Sequence, residues 1–234
     1  MHYPSVTDLP NEQNILADDR QALYQEHLKG CFRHYDEVVP EGPNKETGEK
    51  LCMIVENERI ARNVRQPQSM VNYTKNGFAK VRAPEQVWNL IQTFWQQNKD
   101  NYYVETWTAG DTLVNHWDSP THMVSVENAS LVGGGEVLKN AIWNAARDAI
   151  QSWTGNRLAE CSLYGIRIYH RDSILAPHVD RLPLVSSAIL MVDQDVDEPW
   201  LLEVIGHDGR AHNVTMEPGD LVLYESHSLI HGVS

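Results

Sequence analysis

The sequence predicts an α+β fold in which short antiparallel strands form a sandwich or jelly roll buttressed on one face by helices. Three observations carry this. From Glu160 onward the chain breaks into short β-rich segments; two amphipathic helices precede them; and Asp208-Gly209 and Glu217-Pro218-Gly219-Asp220 separate strands with tight-turn chemistry.

In chain order, residues 11–29 read as a polar helix that stops at Gly30, and residues 37–50, rich in Glu, Pro, Gly and Lys, read as a loop. From Pro84 to Gln97 the signal is sharper. Pro84 suits a first helical turn, and Val87, Leu90, Ile91, Phe94 and Trp95 fall on one face at 3, 4, 7 and 8 spacing. Aromatic and β-branched residues predict strands at Tyr102 to Thr108 and His122 to Val126. A second helix is predicted from Glu136 to Trp153, with Val137, Leu138, Ala141, Ile142, Ala145, Ala149 and Ile150 as its buried stripe and Gly155 near its end. Gly133-Gly134-Gly135 before it lacks the residues that complete a phosphate-binding loop and reads as a flexible lead-in. Further strands are expected at Leu163 to Tyr169, Val185 to Val192, Trp200 to Ile205, His212 to Met216 and Leu221 to Tyr224. The chain thus divides into an N-terminal helical and loop extension, 1–60, and one domain, 61–234, with helical support at 84–155 and a β core at 160–234.

Bulk properties bound the partners. A chain of 234 residues with 41% hydrophobic content can bury a sizeable core. Its net charge of −13, from 32 acidic against 19 basic side chains, repels phosphate backbones and anionic lipid, which argues against nucleic acid as a partner. No apolar run is long enough to span a membrane, and the amino end lacks a basic n-region and an apolar h-region. As given, the chain reads as soluble and cytoplasmic. Sequons at Asn72, Asn128 and Asn213 leave a secretory lumen open. Cys31, Cys52 and Cys161 are odd in number and lack C-x-x-C spacing, so they are expected to be reduced, structural thiols.

The sharpest chemical feature is His178-Val179-Asp180 at the end of a β segment, followed much later by His231-Gly232. Alternate residues of an extended chain point to one side, so an imidazole and a carboxylate separated by one residue can grip one ion. A second histidine delivered by another strand would complete a two-histidine, one-carboxylate set, the facial triad of non-haem iron(II) oxygenases. His227 shares the strand parity of His231 and competes for the same role; if residues 226–231 were helical, the two would stand at the i, i+4 spacing of zinc metallohydrolases, although Ser228 occupies the place of the required glutamate base. His116, His122, His170, His207 and His212 have no comparable partner and read as surface, turn or core residues.

Taken together, Tyr169, Pro177-His178-Val179-Asp180, Gly219-Asp220 and His231-Gly232 resemble the catalytic core of prolyl 4-hydroxylase-like, iron(II)- and 2-oxoglutarate-dependent dioxygenases over residues 160–234. The resemblance implies a double-stranded β-helix cut short at its last strand. It implies iron ligands His178, Asp180 and His231, and a cosubstrate hydrogen bond from Tyr169. It also implies Fe(II) and 2-oxoglutarate as cofactors, with ascorbate as an optional third, and hydroxylation of an unactivated C–H bond in a peptide or small molecule, a peptidyl proline first. Two departures stand out. Leu175 occupies a position where the family often has tyrosine, and the family's basic partner for the far carboxylate of 2-oxoglutarate lies beyond Ser234. Arg181 is a poor substitute, because it follows Asp180 directly and points to the opposite side; a surface ion pair is its expected role. A catalytically silent, truncated β-helix binding domain and a zinc-dependent hydrolase are the alternatives. Substrate and oligomeric state are not legible in the sequence.

Overall fold

The structure is a computed structural model; it describes residues 18–38, 47–107, 112, 113 and 115–233, with side chains from residue 25 onward. Residues 11–17 of the first expected helix, 39–46 of the expected loop and Thr108 lie outside the described residues.

Two long helices open the described chain, α1 (Asp18–Val38) and α2 (Gly48–Ser69). Gly30 does not end α1. Leu28, Cys31 and Tyr35 are buried at 3 and 4 spacing beyond and around it, and their burial outweighs the roughly 1 kcal/mol that an interior glycine costs a helix. The expected loop over 37–50 is likewise cut back, since Glu37 and Val38 are helical and α2 begins at Gly48. Thr47 caps α2 by accepting the Lys50 N–H at 3.2 Å, and Asp36 of α1 accepts the Gly48 N–H at 2.6 Å. The expectation of reduced thiols fails for two of the three cysteines. Cys31 and Cys52 form a disulfide between α1 and α2, because helix packing brings their Cα atoms to 6.2 Å, within bonding reach, however far apart they lie in sequence. Cys161 is free and exposed. The division expected between residues 60 and 61 falls inside α2.

Next come β1 (Phe78–Arg82), α3 (Glu85–Asn98), β2 (Tyr103–Val104), β3 (His122–Ser125) and α4 (Glu136–Thr154). Strand β2 is shorter than its sequence suggests; it is an edge strand with both residues exposed, paired to β3 alone. Helix α3 buries Val87, Ile91, Phe94 and Trp95, as its periodicity requires. Helix α4 ends at Gly155, whose φ of 69° is the left-handed conformation that glycine adopts without strain. Val137 is not in its buried stripe but 85% exposed; Leu138 and Ile142 define the inward face, and residue 137 lies some 100° around the helix from 138.

Seven more elements complete the chain: β4 (Gly165–Ile168), β5 (Leu175–His178), β6 (Ser187–Leu190), β7 (Leu201–Ile205), β8 (Ala211–Thr215), β9 (Asp220–Tyr224) and β10 (His231–Val233). They complete three antiparallel sheets, ordered β1-β9-β6, β5-β10-β7-β8 and β2-β3-β4. The Asp208-Gly209 turn joins β7 to β8, and the turn at 217–220 is closed by Asp220 N–H donating to the Glu217 carbonyl at 2.8 Å. One core packs α3 and α4 over Val124, Val126 and Ile166. A second packs Leu202, Val204, Val214 and Met216 of the four-stranded sheet and its edge against Val222 and Tyr224 of the β9 sheet. The result is a mixed helix and antiparallel-sheet fold with helices over part of the strand surface. Among the described residues, no helix is long and apolar enough to cross a membrane.

Candidate metal centre

His178, Asp180 and His231 converge. One ligand atom from each lies within 4.8 Å of the others, the only such cluster of three among the described residues. Strand pairing brings this about, because β5 and β10 are neighbours in a register that sets His231 opposite His178, with ring centroids 4.4 Å apart. Asp180 follows two residues beyond His178, past the buried Val179, and so returns to the same side. Gly232 has a steric reason to follow His231. A Cβ at that position would stand 2.8 Å from the Leu175 carbonyl oxygen and 3.0 Å from the Pro177 nitrogen, so only glycine lets β10 approach β5 this closely.

Hydrogen bonds orient both rings. Nδ1 of His178 lies 2.8 Å from the Ala176 carbonyl, and Nδ1 of His231 lies 3.0 Å from the Leu229 carbonyl. A carbonyl oxygen can only accept, so each Nδ1 carries the proton and each Nε2 keeps a lone pair. Those Nε2 atoms sit 3.4 and 3.8 Å from Asp180 Oδ1. The other carboxylate oxygen, Oδ2, accepts from the Ser187 hydroxyl at 3.2 Å, and Asp180 N–H donates to the Ser226 carbonyl at 2.8 Å. Burial acts to raise the Asp180 pKa, but the adjacent His178 and His231 outweigh it and hold the carboxyl well below the usual range. Burial, then His178, lowers His231 to about 4, against the pull of Asp180. Two neutral imidazoles and one ionised carboxylate suit a divalent transition ion such as iron or zinc.

His227 is not part of this cluster. Its Nδ1 contacts the Val185 carbonyl and its Nε2 lies 3.2 Å from the Val71 carbonyl, so the ring ties a turn to two other segments. Residues 226–229 form that turn, not a helix, which removes the i, i+4 arrangement.

Tyr224 borders the cluster, and a group of donors and aromatic rings lies beyond it. Tyr224 packs edge-on to His231 at 4.6 Å; burial and the nearby Asp180 carboxylate raise its hydroxyl pKa well above the usual value. Tyr169 stands edge-on to Trp200 at 5.2 Å, and its hydroxyl is hydrogen bonded with Arg167 and lies within electrostatic reach of Tyr224. Burial raises the Tyr169 pKa, against the pull of Arg167. Arg167 bonds both oxygens of Glu105, at 2.7 and 2.9 Å, and its guanidinium lies 5.3 Å from the centre of the Trp107 ring. The indole N–H groups of Trp107 and Trp200 are buried without a partner among the described residues. Leu175 is buried and pairs with Val233, while Arg181 is exposed and makes no ion pair among the described residues, so its expected surface pairing is not formed.

Sequence reasoning missed a second set of contacts. Helix α2 directs Arg59, Asn63 and Gln66 at the ligand segment: Arg59 Nη1 donates to the Pro177 carbonyl at 2.5 Å, Asn63 Nδ2 to the same carbonyl at 2.9 Å, and Gln66 Nε2 to the carbonyls of Asp180 and His227, both at 2.7 Å. Asn63 Oδ1 accepts the Val179 N–H at 2.8 Å. The signal was a 3 and 4 spacing of polar residues, which on its own is indistinguishable from a solvated helix face.

No protein-family model matches the chain, and no curated protein does. Among solved structures it is similar to a Pseudomonas putida prolyl-4-hydroxylase, with a TM-score of 0.42 and 15% sequence identity, over 68% of this chain and 86% of that one.

Proposed function

We propose that the chain is an iron(II)- and 2-oxoglutarate-dependent oxygenase that hydroxylates an unactivated C–H bond, with a peptidyl proline as the first substrate class to test. The observation that carries this reading is the convergence of His178 and His231, in direct register on neighbouring strands, with Asp180 two residues past the end of β5. Packing of the β9 sheet against the four-stranded sheet supports a double-stranded β-helix as the underlying core. The bound metal and cosubstrate would supply oxygen activation, the two electrons coming from oxidative decarboxylation of 2-oxoglutarate to succinate and carbon dioxide.

The chain's own residues would orient and shield. His178 and His231 hold neutral donors, Asp180 contributes the single negative charge, and Ser187 keeps Asp180 turned so that Oδ1 faces the imidazoles. The Tyr169 hydroxyl and the unpartnered N–H of the neighbouring Trp200 are donors that suit an anionic cosubstrate. The Cys31–Cys52 disulfide supports an oxidising compartment such as the secretory lumen.

Aerobic incubation with Fe(II), 2-oxoglutarate and proline-containing peptides should yield succinate, and His178→Ala should abolish it. Succinate formation that survives His178→Ala, or none under any condition, would sink the reading. One observation favours a second: Arg167 is already engaged by both oxygens of Glu105, which suits a metal-binding domain without turnover. That domain would bind metal through the same three residues and make no succinate.

A further inference from the structure

We infer that helix α2 is the positioning element of the metal centre, with Asn63 as its principal residue and Arg59 and Gln66 as its supports. The inference rests on the reading that His178, Asp180 and His231 hold a metal; it adds what sets their spacing.

Strand β5 lies at the edge of its sheet, with β10 on one side and, among the described residues, a single bridge from Leu175 to Leu113 on the other. Through the register of His178 with His231, the backbone N–H and C=O of His178 itself face β10. The Pro177 carbonyl and the Val179 N–H therefore face away from the sheet, and they are buried, since Val179 is 1% exposed. Buried backbone groups at an open edge need partners. No strand supplies them here. One primary amide does: Asn63 donates to the Pro177 carbonyl and accepts from the Val179 N–H, so a single side chain grips both peptide groups that flank His178. Its donor and acceptor match the pair as a neighbouring strand would.

The flanking residues extend that grip to the other ligands. Arg59 shares the Pro177 carbonyl, and its charge is balanced by Glu56, with both side chains under 10% exposed. Gln66 ties the carbonyl of Asp180 to that of His227, in the turn that leads into His231. Cys52, Glu56, Arg59, Asn63 and Gln66 recur at 4, 3, 4 and 3 spacing, so one face of α2 runs from the disulfide to the ligands. A metal centre needs its ligands held to within about 0.5 Å, and removing hydrogen bonds that orient ligands commonly weakens metal binding about 10- to 100-fold.

The test uses the full chain and Co(II) as an anaerobic spectroscopic probe, with binding and ligand-field spectrum measured together. Asn63→Leu should raise the dissociation constant about 10- to 100-fold and alter the Co(II) spectrum. Gln66→Met, at a partly exposed position that leaves the fold intact, should move both in the same direction by less. Ile142→Ala, which opens the distant α3 and α4 core, should lower the melting temperature while leaving the spectrum and the affinity of the folded protein unchanged. Wild-type affinity and spectrum in both Asn63→Leu and Gln66→Met would overturn the inference alone, provided His178→Ala abolishes binding. If Asn63→Leu does not fold, an unmoved Gln66→Met overturns it. Failure of the unmutated chain to bind Co(II), or indifference to His178→Ala, overturns the metal reading and the inference with it.

Discussion

Helices α2 and α3 each lay one face on strands, yet the two faces are chemically opposite. Helix α3 buries Val87, Ile91, Phe94 and Trp95, whereas α2 buries Cys52, Glu56 and Asn63, with Arg59 nearly covered. The spacing is the same in both. An apolar face is held by area and volume, so it tolerates repacking and leaves ligand geometry alone. A buried polar face is held by directional bonds, so each donor must meet a particular acceptor, and the exchange for that demand is control of where a backbone lies. In the proposed arrangement, α2 sets the geometry of the metal ligands, whereas the apolar faces of α3 and α4 contribute stability alone.

The largest effect should come from the apolar side. Phe94→Ala should cost about 3–5 kcal/mol in urea unfolding, without altering the Co(II) spectrum of the folded fraction. A changed spectrum would break the division. On the polar side, Arg59→Met should cost about 3 kcal/mol, because it removes the cation that balances the buried Glu56 carboxylate; Glu56→Gln added to it should recover part of that loss. Equal stability of the single and double variants would show that the pair does not act as a unit.

Reducing the Cys31–Cys52 disulfide, whose cysteines are 21 residues apart in sequence, should cost about 3 kcal/mol on the chain-entropy account. Hydrogen exchange should place the loss in α1 and α2 and leave α3 protected. If exchange rose equally in both pairs of helices, the two regions would be one cooperative unit.

The smallest effect is a pH dependence. His27 of α1 stacks on Trp117, and its pKa is lowered to about 4, first by burial and then by Arg59, against the opposing pull of Glu56 and Asp118. The unfolded chain takes up this proton near pH 6.5 and the folded chain only near 4. The associated stability is thus complete above about pH 6.5 and is lost as the pH falls toward 4. Discounted for partial exposure of the ring, it should amount to about 2 kcal/mol. His27→Gln should reduce the difference between urea midpoints at pH 7.5 and 4.5, to which His231 also contributes, and an unchanged difference would remove His27 as a source.

Legibility follows the same line. The stripes of α3 and α4, the Asp208-Gly209 turn and most of β4 to β9 could be read because apolar periodicity and turn residues are local signals. His178, Asp180 and His231 were readable as candidates, because alternation in a strand is local too. Helix α2 was not, since Glu56, Arg59, Asn63 and Gln66 carry the composition of a solvent-facing stripe. Nor was the disulfide, for an odd number of widely spaced cysteines names no pair. Strand β1 was also missed: Phe78–Arg82 is largely exposed and is held by its pairing with β9.

By itself, the sequence determined which residues could bind an ion, because donor chemistry and strand parity belong to the residues themselves. Tertiary structure alone decided that His231, not His227, joins His178 and Asp180, and that a polar helix from the first third of the chain grips their backbone. The reason is physical: strand register and the pairing of buried edge groups depend on neighbours distant in sequence, and no local pattern records which neighbour will be there.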